Sequence, residues 1–268
     1  VLMINIDSVI KRTQKEGYKE EDATAKVCQD IILNAISRST LSENVTIKGG
    51  VVMRSISHNA RRATQDVDID FIRYSLADDS IRRFVEKLNN TDGLKIELYG
   101  KLEELKQQDY HGKRAYIKIT DSFGFEVTSK VDFGVHKHLD IKQEEFCFDI
   151  ALQNDSVSLL INSKEQMFTE KLRSILKFGA RSTRYKDIFD LFWLSGLLDK
   201  NELLHCFDVF IFSDPGMKEN NIEDVKHRIE KVIGNQDFRK LVSDSKKNWL
   251  DTEDDQACDG LLKFLSSL

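Results

Sequence analysis

The strict alternation of acidic and apolar residues at Asp66–Phe71 constrains the fold more than any other feature of this sequence. Successive side chains of a β-strand point to opposite faces, so the segment predicts a strand with three apolar residues on one face and three aspartates on the other. Carboxylates spaced ~6–7 Å apart along one face repel each other unless water or a cation separates them. The segment therefore indicates either a site for a divalent metal, Mg²⁺ above all, or a solvent-facing strand edge whose charges discourage aggregation.

Composition restricts the class of protein further. The chain has 268 residues, of which 40% are hydrophobic, enough for a sizeable core. No apolar run approaches the ~18 residues that a membrane span needs, and residues 1–17 lack the apolar centre of a secretory signal, so we expect no membrane partner. A net charge of -5 excludes binding of nucleic acid over the whole surface but is compatible with a local basic stripe. Four scattered cysteines without a CxxC pair argue against disulfides or structural zinc and favour a reducing cytoplasm.

The spacing of apolar residues changes along the chain. A predicted helix over residues 20–38 precedes a region of mixed strands and helices, and after about Val157 the apolar spacing is helical to the end. The predicted strands are 45–48, 66–71, 94–106, 114–120 and 125–135, with turns near 110–112 and 121–124. The other predicted helices are 78–88, 164–178, 184–198, 222–233 and 258–266. The sequence thus predicts an α+β (α/β) domain over 1–157 and a helical domain over 158–268.

A double glycine follows the first predicted strand. Glycines at Gly49 and Gly50 allow the backbone to approach a ligand closely, and the N–H groups at the start of a following helix can hold phosphate. Most such pairs are simple turns, but here the aspartate strand follows 16 residues later, a distance that fits one helix and a loop. That loop carries Arg61 and Arg62 next to the predicted metal site.

A second candidate carboxylate, Asp132, lies between apolar residues in the predicted strand 125–135. If that strand lies beside the aspartate strand, Asp132 joins Asp66 and Asp68 around a metal pair of the kind that stabilises both oxygens of a phosphoryl displacement. The alternative for Asp132 is an ordinary surface acid.

Lys171 falls on the apolar face of the predicted helix 164–178. A lysine there must either extend its ammonium to the surface or meet an acid or phosphate. The next predicted helix has Asp187 and Asp190 three residues apart on one face. These acids either hold a functional cation in position or form an ordinary ion pair that joins two helices. If the helix 164–178 continues further, four basic residues form one stripe along it: Arg173, Lys177, Arg181 and Arg184. Such a stripe indicates either a polyanion-binding surface or a solvated flank.

In this order, these segments resemble the AbiEii/AbiGii-type toxin family of the minimal nucleotidyltransferase, or polymerase-beta-like, superfamily. The residues that carry the resemblance are Lys48–Gly50, Arg62–Asp68, Val131–Gly134, Glu170–Leu172 and Arg184–Leu191. The resemblance implies a nucleotidyltransferase core with a small mixed sheet, a helical C-terminal half, and action as a bacterial toxin of a type IV toxin–antitoxin or abortive-infection system. A cognate antitoxin protein is the implied partner, and some relatives transfer nucleotides to tRNA.

The resemblance also implies roles for individual residues. The glycine turn at Lys48, Gly49 and Gly50 would hold the NTP phosphates, and Asp66 and Asp68 would bind Mg²⁺, with Asp132 completing the site. Lys171 and the later acid, either Asp187 or Asp190, match the family's other functional positions, and Arg62 is a further cation for the nucleotide. One departure is Val51, because many relatives have Ser or Thr after the double glycine.

The expected activity is therefore Mg²⁺-dependent transfer of a nucleotide (EC 2.7.7 type) from an NTP to a hydroxyl of tRNA, another RNA or a protein. Two rival interpretations use the same residues. A metal-dependent nuclease would use water as nucleophile and would need no NTP, and a degenerate module would bind nucleotide without turnover. The sequence leaves the NTP, the acceptor and the oligomeric state open.

Overall fold

The segment of alternating aspartates forms strand β2 with the predicted bounds, Asp66–Phe71, at the centre of a mixed sheet. The computed structural model describes residues 3–91, 93–105, 112–152 and 156–268. The chain divides into two units, Val1–Asn162 and Ser163–Leu268. Residue 106 of the predicted third strand, and residues 110 and 111 of the predicted turn, lie outside the described residues.

The first unit contains four α-helices and seven strands among its described residues. The helices are α1 (Ile6–Lys15), α2 (Glu20–Ser37), α3 (Gly49–Ser57) and α4 (Asp78–Lys87). The strands are β1 (Val45–Lys48), β2 (Asp66–Phe71), β3 (Leu94–Glu104), β4 (Lys113–Asp121), β5 (Glu126–Val135), β6 (Glu144–Asp149) and β7 (Ser156–Ile161). Helix α1 and strands β6 and β7 were not predicted from the sequence.

The seven strands form one sheet in the order β3-β4-β5-β2-β1-β7-β6. Strand β2 pairs with β5 in parallel and with β1 antiparallel, and β1 pairs with β7 in parallel. The hairpins β3–β4, β4–β5 and β6–β7 are antiparallel. This mixed sheet with helices confirms the predicted fold class.

The apolar face of β2 packs into an aromatic cluster. The Phe71 ring lies 5.2 Å from Phe84 of α4 and 5.3 Å from Phe133 of β5, measured between ring centroids. Val67 and Ile69 on the same face are fully buried. Because neighbouring residues of a strand face opposite sides, burying these apolar side chains fixes the direction of the aspartates between them.

The second unit is helical throughout its described residues. Its α-helices are α5 (Lys164–Phe178), α6 (Tyr185–Ser195), α7 (Lys200–Phe207), α8 (Ile222–Ile233), α9 (Gln236–Asp244) and α10 (Asp254–Ser266). Helix α5 starts where the sequence predicts, because the Ser163 hydroxyl accepts the backbone N–H of Gln166 and caps it. Phe168 of α5 packs within 5.6 Å of Phe264 and 6.4 Å of Phe207 between ring centroids, at the core of this unit. Helices α7 and α9 were not predicted.

Among the helices of the described residues, none combines the length and the apolar character that crossing a membrane requires.

Candidate functional site

A row of four charged residues crosses four neighbouring strands of the sheet. Lys48 of β1 is the register partner of Asp68 of β2, which is the partner of Asp132 of β5, which in turn is the partner of Arg114 of β4. Register partners in a sheet direct their side chains to the same face. Asp68 and Asp132 are therefore neighbours, as expected, and the row has these two carboxylates in the middle and a cation at each end.

The glycine turn lies directly against this row. Gly49 has φ +66°, and a Cβ placed there would stand 2.1 Å from Oδ2 of Asp68. Gly50 makes an equally close approach to Thr64, with 2.4 Å between its ideal Cβ and Oγ1. Both positions therefore require glycine, one for its backbone conformation and both for space. The turn brings the first backbone amides of α3 next to the aspartate strand.

The start of α3 receives no side-chain cap from its N-cap residue, Lys48, whose ammonium has no lone pair to offer. The first amide groups of a helix point outward along its axis and carry partial positive charge, which suits an anion. This arrangement at Gly49 and Gly50 is compatible with phosphate binding, as the sequence predicts.

The other two aspartates of β2 are ion-paired. Asp66 Oδ1 lies 2.7 Å from Lys130 Nζ, and Asp70 Oδ1 lies 2.8 Å from Lys48 Nζ. Asp70 and Lys48 are both buried, whereas Asp66 and Lys130 are about one-third exposed. Asp70 therefore acts as a buried counter-ion for Lys48, while Asp66 lies closer to solvent.

Asp132 is held by a residue that the sequence did not single out, Arg114. Nε of Arg114 donates to Oδ1 of Asp132 at 2.7 Å and Nη2 donates to Oδ2 at 2.8 Å, a bidentate pair. The hydrogen bonds to Asp132 raise the pKa of the Arg114 guanidinium above its already high ordinary value. Counting back along the β4–β5 hairpin from the predicted turn at 121–124 would place Arg114 opposite Val131, whereas the observed register pairs Arg114 with Asp132. The predicted turn was therefore one residue away from revealing this contact, and such a shift places a side chain on the other face of the sheet.

The donor set on this face fits a divalent cation in its chemistry, because Asp66, Asp68 and Asp132 offer only hard carboxylate oxygens. Within the described ranges, no three side chains from His, Cys, Asp or Glu are grouped closely enough to hold a metal ion. Asp132 gives both of its oxygens to Arg114. These carboxylates thus suit a metal by their chemistry, and Asp132 would join as a ligand when the Arg114 guanidinium releases at least one of its oxygens.

A buried polar cluster between α2 and α3 supports the loop that leads into β2. Asp30 is fully buried and accepts hydrogen bonds from Lys26 Nζ at 2.6 Å and from the backbone N–H of Ala151 at 2.8 Å. Arg54 of α3 hydrogen-bonds Gln29, whose Nε2 donates to the Thr64 carbonyl at 2.8 Å. The cluster therefore fixes the backbone two residues before Asp66.

Arg62, predicted as a further cation for the nucleotide, ends the short 3-10 turn Ala60–Arg62 before β2 and is buried. Its neighbour Arg61 is exposed. The predicted loop with two adjacent arginines therefore has one arginine inside the fold and one at its surface.

A second charged cluster lies in the unit Ser163–Leu268. Lys171 Nζ lies 2.6 Å from Asp187 Oδ1 and 2.9 Å from Asp190 Oδ2, so the lysine meets both acids rather than reaching past them to solvent. Asp190 is fully buried and also accepts a hydrogen bond from the indole Nε1 of Trp249 at 2.9 Å. Sequence reasoning did not identify Trp249, which is 59 residues away along the chain.

The predicted basic residues do not form one helical stripe, because α5 ends at Phe178, before Arg181 and Arg184. One of the four is largely buried and three are exposed. Arg173 donates from Nε to Asp214 Oδ2 at 3.0 Å and is largely buried. Burial raises the pKa of Asp214, but the backbone N–H of Gly216 and the Arg173 guanidinium outweigh it and hold that pKa below its usual value. Lys177, Arg181 and Arg184 are exposed.

Comparison with known proteins gives the same family as the resemblance in the sequence. The model of the family described as "Nucleotidyl transferase AbiEii toxin, Type IV TA system" matches residues 31–256. No curated protein matches the chain. The matched region contains both charged clusters and covers most of the 268 residues. The chain therefore belongs to the AbiEii family of nucleotidyltransferase toxins of type IV toxin–antitoxin systems.

Proposed function

We propose that this chain transfers a nucleotide from an NTP to a hydroxyl group of an RNA, such as tRNA, with a protein hydroxyl as the alternative acceptor, in a Mg²⁺-dependent reaction of the EC 2.7.7 type. Membership of the family accounts for a nucleotidyltransferase toxin. The metal, the substrate and the acceptor go beyond the family and belong to this proposal. It includes action in the bacterial cytoplasm as the toxin of an abortive-infection system.

The observation that carries the proposal is the juxtaposition of Gly49 with the Asp68 carboxylate in a row that continues to Asp132. Phosphoryl transfer is catalysed mostly by positioning and by electrostatic stabilisation of the phosphate oxygens. A backbone turn that can approach phosphates, next to carboxylates that can hold a cation, supplies both requirements on one sheet face.

The residues divide into three groups by role. The amides at Gly49 and Gly50 would bind the triphosphate, and Asp66 and Asp68 would hold Mg²⁺, with Asp132 as a third ligand after Arg114 releases one oxygen. The metal, when bound, would neutralise charge on the phosphate oxygens. Lys171 would neutralise charge on the transferred phosphoryl group or the leaving pyrophosphate, and Arg62 and Lys48 would contribute positive potential.

The test is incubation of the protein with each labelled NTP, Mg²⁺ and total RNA or a lysate, followed by identification of what becomes labelled. We expect Asp68→Asn to lower the rate of labelling by at least about a hundredfold, the usual order for loss of a main electrostatic group in a site of this kind. Asp149→Asn is the matched control, because Asp149 is an exposed aspartate on β6 of the same sheet. Wild-type rates in Asp68→Asn and Asp66→Asn would contradict the assignment.

The same assay separates the two rivals. RNA that is degraded when NTP is omitted would identify a nuclease. Mg²⁺-dependent thermal stabilisation by NTP, with no labelled product under any condition, would identify a binding module that does not turn over. Retention of Asp66, Asp68, Asp132 and Lys171 in one chain argues against the second rival.

A type IV toxin–antitoxin family implies a cognate antitoxin as partner. For the acceptor we favour RNA, because three basic residues close together in sequence, Lys177, Arg181 and Arg184, are exposed and could contact a phosphate backbone. Loss of RNA labelling in a variant with all three changed to glutamine, with NTP binding unchanged, would support this choice. Continued labelling of RNA at the wild-type rate would contradict it.

A further inference from the structure

Lys171 is a largely buried cation of the second unit that pairs with two carboxylates. Its side chain is largely buried on α5, and two carboxylates from α6 lie within 3 Å of its ammonium, at 2.6 Å for Asp187 and 2.9 Å for Asp190. A buried ammonium is costly unless it is paired and hydrogen-bonded, so both acids contribute to keeping this charge inside the fold.

The two acids differ in the partner of their second carboxylate oxygen. Asp190 is 0% exposed, and its Oδ1 accepts the indole N–H of Trp249, itself only 2% exposed. Asp187 is also buried, but its Oδ2 lies 4.0 Å from Nη1 of Arg184, a side chain that is 57% exposed. The second oxygen of Asp190 is therefore held by a buried indole, whereas the second oxygen of Asp187 is near the cation of an exposed arginine.

A hydrogen bond from Trp249 restricts the Asp190 carboxylate in two ways. It fixes the rotation of the carboxylate, since the indole ring is immobilised by packing, and it occupies Oδ1 while Oδ2 pairs with Lys171. A second indole, Trp193 of α6, packs with its ring centroid 5.9 Å from that of Trp249. The geometry leaves Asp190 poorly placed for contact with a substrate and well placed to hold a lysine.

We propose that Trp249 and Asp190 form a positioning pair that fixes the Lys171 ammonium, and that Asp187 is the exchangeable partner which an incoming phosphate displaces. This inference deepens the proposed function and depends on it for the identity of the anion. It assigns Asp190 a positioning role, and it identifies Asp187 as the acid that exchanges with the anion.

The test uses the full chain and two matched changes. Trp249→Phe removes the N–H donor to Asp190, and Trp193→Phe removes the neighbouring indole without touching that hydrogen bond. Trace acetylation with a small amine-reactive reagent, read by mass spectrometry, measures the reactivity of Lys171 in each protein. We expect about a tenfold faster acetylation of Lys171 in Trp249→Phe, the factor that corresponds to loss of a hydrogen bond to a charged group, and no change in Trp193→Phe.

Activity gives a second and separate readout. In the nucleotide-labelling assay, Trp249→Phe should lower kcat about tenfold while KM for NTP stays within about twofold, because a mispositioned lysine affects the transition state more than ground-state binding. If the wild-type chain labels nothing, the proposed function fails, but a specific rise in Lys171 acetylation would still support the positioning pair. Equal acetylation of Lys171 in Trp249→Phe and Trp193→Phe would overturn it.

A variant that preserves the shape of the ring separates the loss of the hydrogen bond from a loss of stability. If Trp249→Phe lowers the melting temperature more than Trp193→Phe does, benzothienylalanine at position 249 keeps the bicyclic ring and removes only the N–H. Increased Lys171 acetylation in that protein supports the inference. Unchanged acetylation there contradicts it, whatever the phenylalanine variant shows.

Discussion

At the scale of single residues, Gly49 carries the tightest constraint in the candidate site, because no other residue type fits its backbone angle and its closeness to Asp68 together. We expect Gly49→Ala to lower the free energy of unfolding by about 2–3 kcal/mol, about 1–2 kcal/mol of it from the left-handed conformation and the rest from displacement of the carboxylate. It should also weaken Mg²⁺-dependent NTP binding at least about tenfold, since the turn and Asp68 both shift. Chemical denaturation and calorimetric titration measure the two effects.

Gly100 provides the control for backbone strain alone. It also has a positive φ, +78°, but a Cβ there would meet nothing within 4 Å. Gly100→Ala should therefore cost about 1–2 kcal/mol and leave NTP binding unchanged. Equal NTP affinity in Gly49→Ala and wild type would mean that the glycine turn does not bind the nucleotide.

The residues that the sequence predicted and those it missed differ in one physical respect. The directions of Asp66 and Asp68 follow from local alternation, which any strand with one buried face obeys. The contacts of Arg114 and Trp249 depend on pairing with residues 18 and 59 positions away. Strand register and helix packing set those contacts, and local sequence pattern does not encode them.

At the scale of secondary-structure elements, segments with a clear local pattern were predictable and segments without one were not. Helix α5 and strand β2 have the predicted bounds, because each has a clear apolar face. Strands β6 and β7 are as long as β2, with six residues each, but no element was predicted at β6, and β7 extends past Val157, where the apolar spacing predicted helix. Strand β7 enters the sheet by parallel pairing with β1, more than 100 residues earlier, and that long-range pairing has no local signal.

Asp121 shows how one side chain can join elements that are distant in sequence. Its Oδ2 accepts the backbone N–H of Ile6 at the start of α1, and its Oδ1 accepts those of Phe123 and Phe125 in the β4–β5 turn, at 2.9–3.0 Å. Burial raises the pKa of Asp121, but these N–H groups outweigh it and hold the pKa below its ordinary value of 3.8. The charged carboxylate is therefore the form that the fold stabilises.

This depressed pKa predicts a pH-dependent stability difference. A carboxyl group with a lowered folded-state pKa contributes stability above its unfolded value and loses that contribution as the pH falls through the folded value. Asp121→Asn should therefore cost about 2 kcal/mol of unfolding free energy at neutral pH, and progressively less below about pH 4, in urea denaturation. Asp149→Asn, the exposed control, should change stability by under about 0.5 kcal/mol at either pH. A cost for Asp121→Asn that does not vary with pH would contradict this account.

At the scale of the whole molecule, the reactivity of the four cysteines can be used to follow the opening of each of the two units. Cys28 is buried in the first unit, Cys206 and Cys258 are buried in the second, and Cys147 on β6 is exposed. Burial raises the pKa of the Cys28 thiol to about 12, with a smaller contribution from the charge of Asp30. Burial also raises the pKa of Cys258 to about 11. Since the thiolate is the reactive form, both thiols are protected by protonation as well as by packing.

The native chain should therefore show one fast thiol, Cys147, with an aromatic disulfide reagent at about pH 8, and Cys147→Ser should show none. At that pH a three-unit rise in pKa reduces the thiolate fraction of Cys28 about a thousandfold, so its labelling must wait for opening of the first unit. Peptide mapping along a urea series then shows whether Cys28 becomes reactive at the same urea concentration as Cys206 and Cys258, which reports whether the units open together. Two or more fast thiols in the absence of urea would contradict the burial of the other three cysteines.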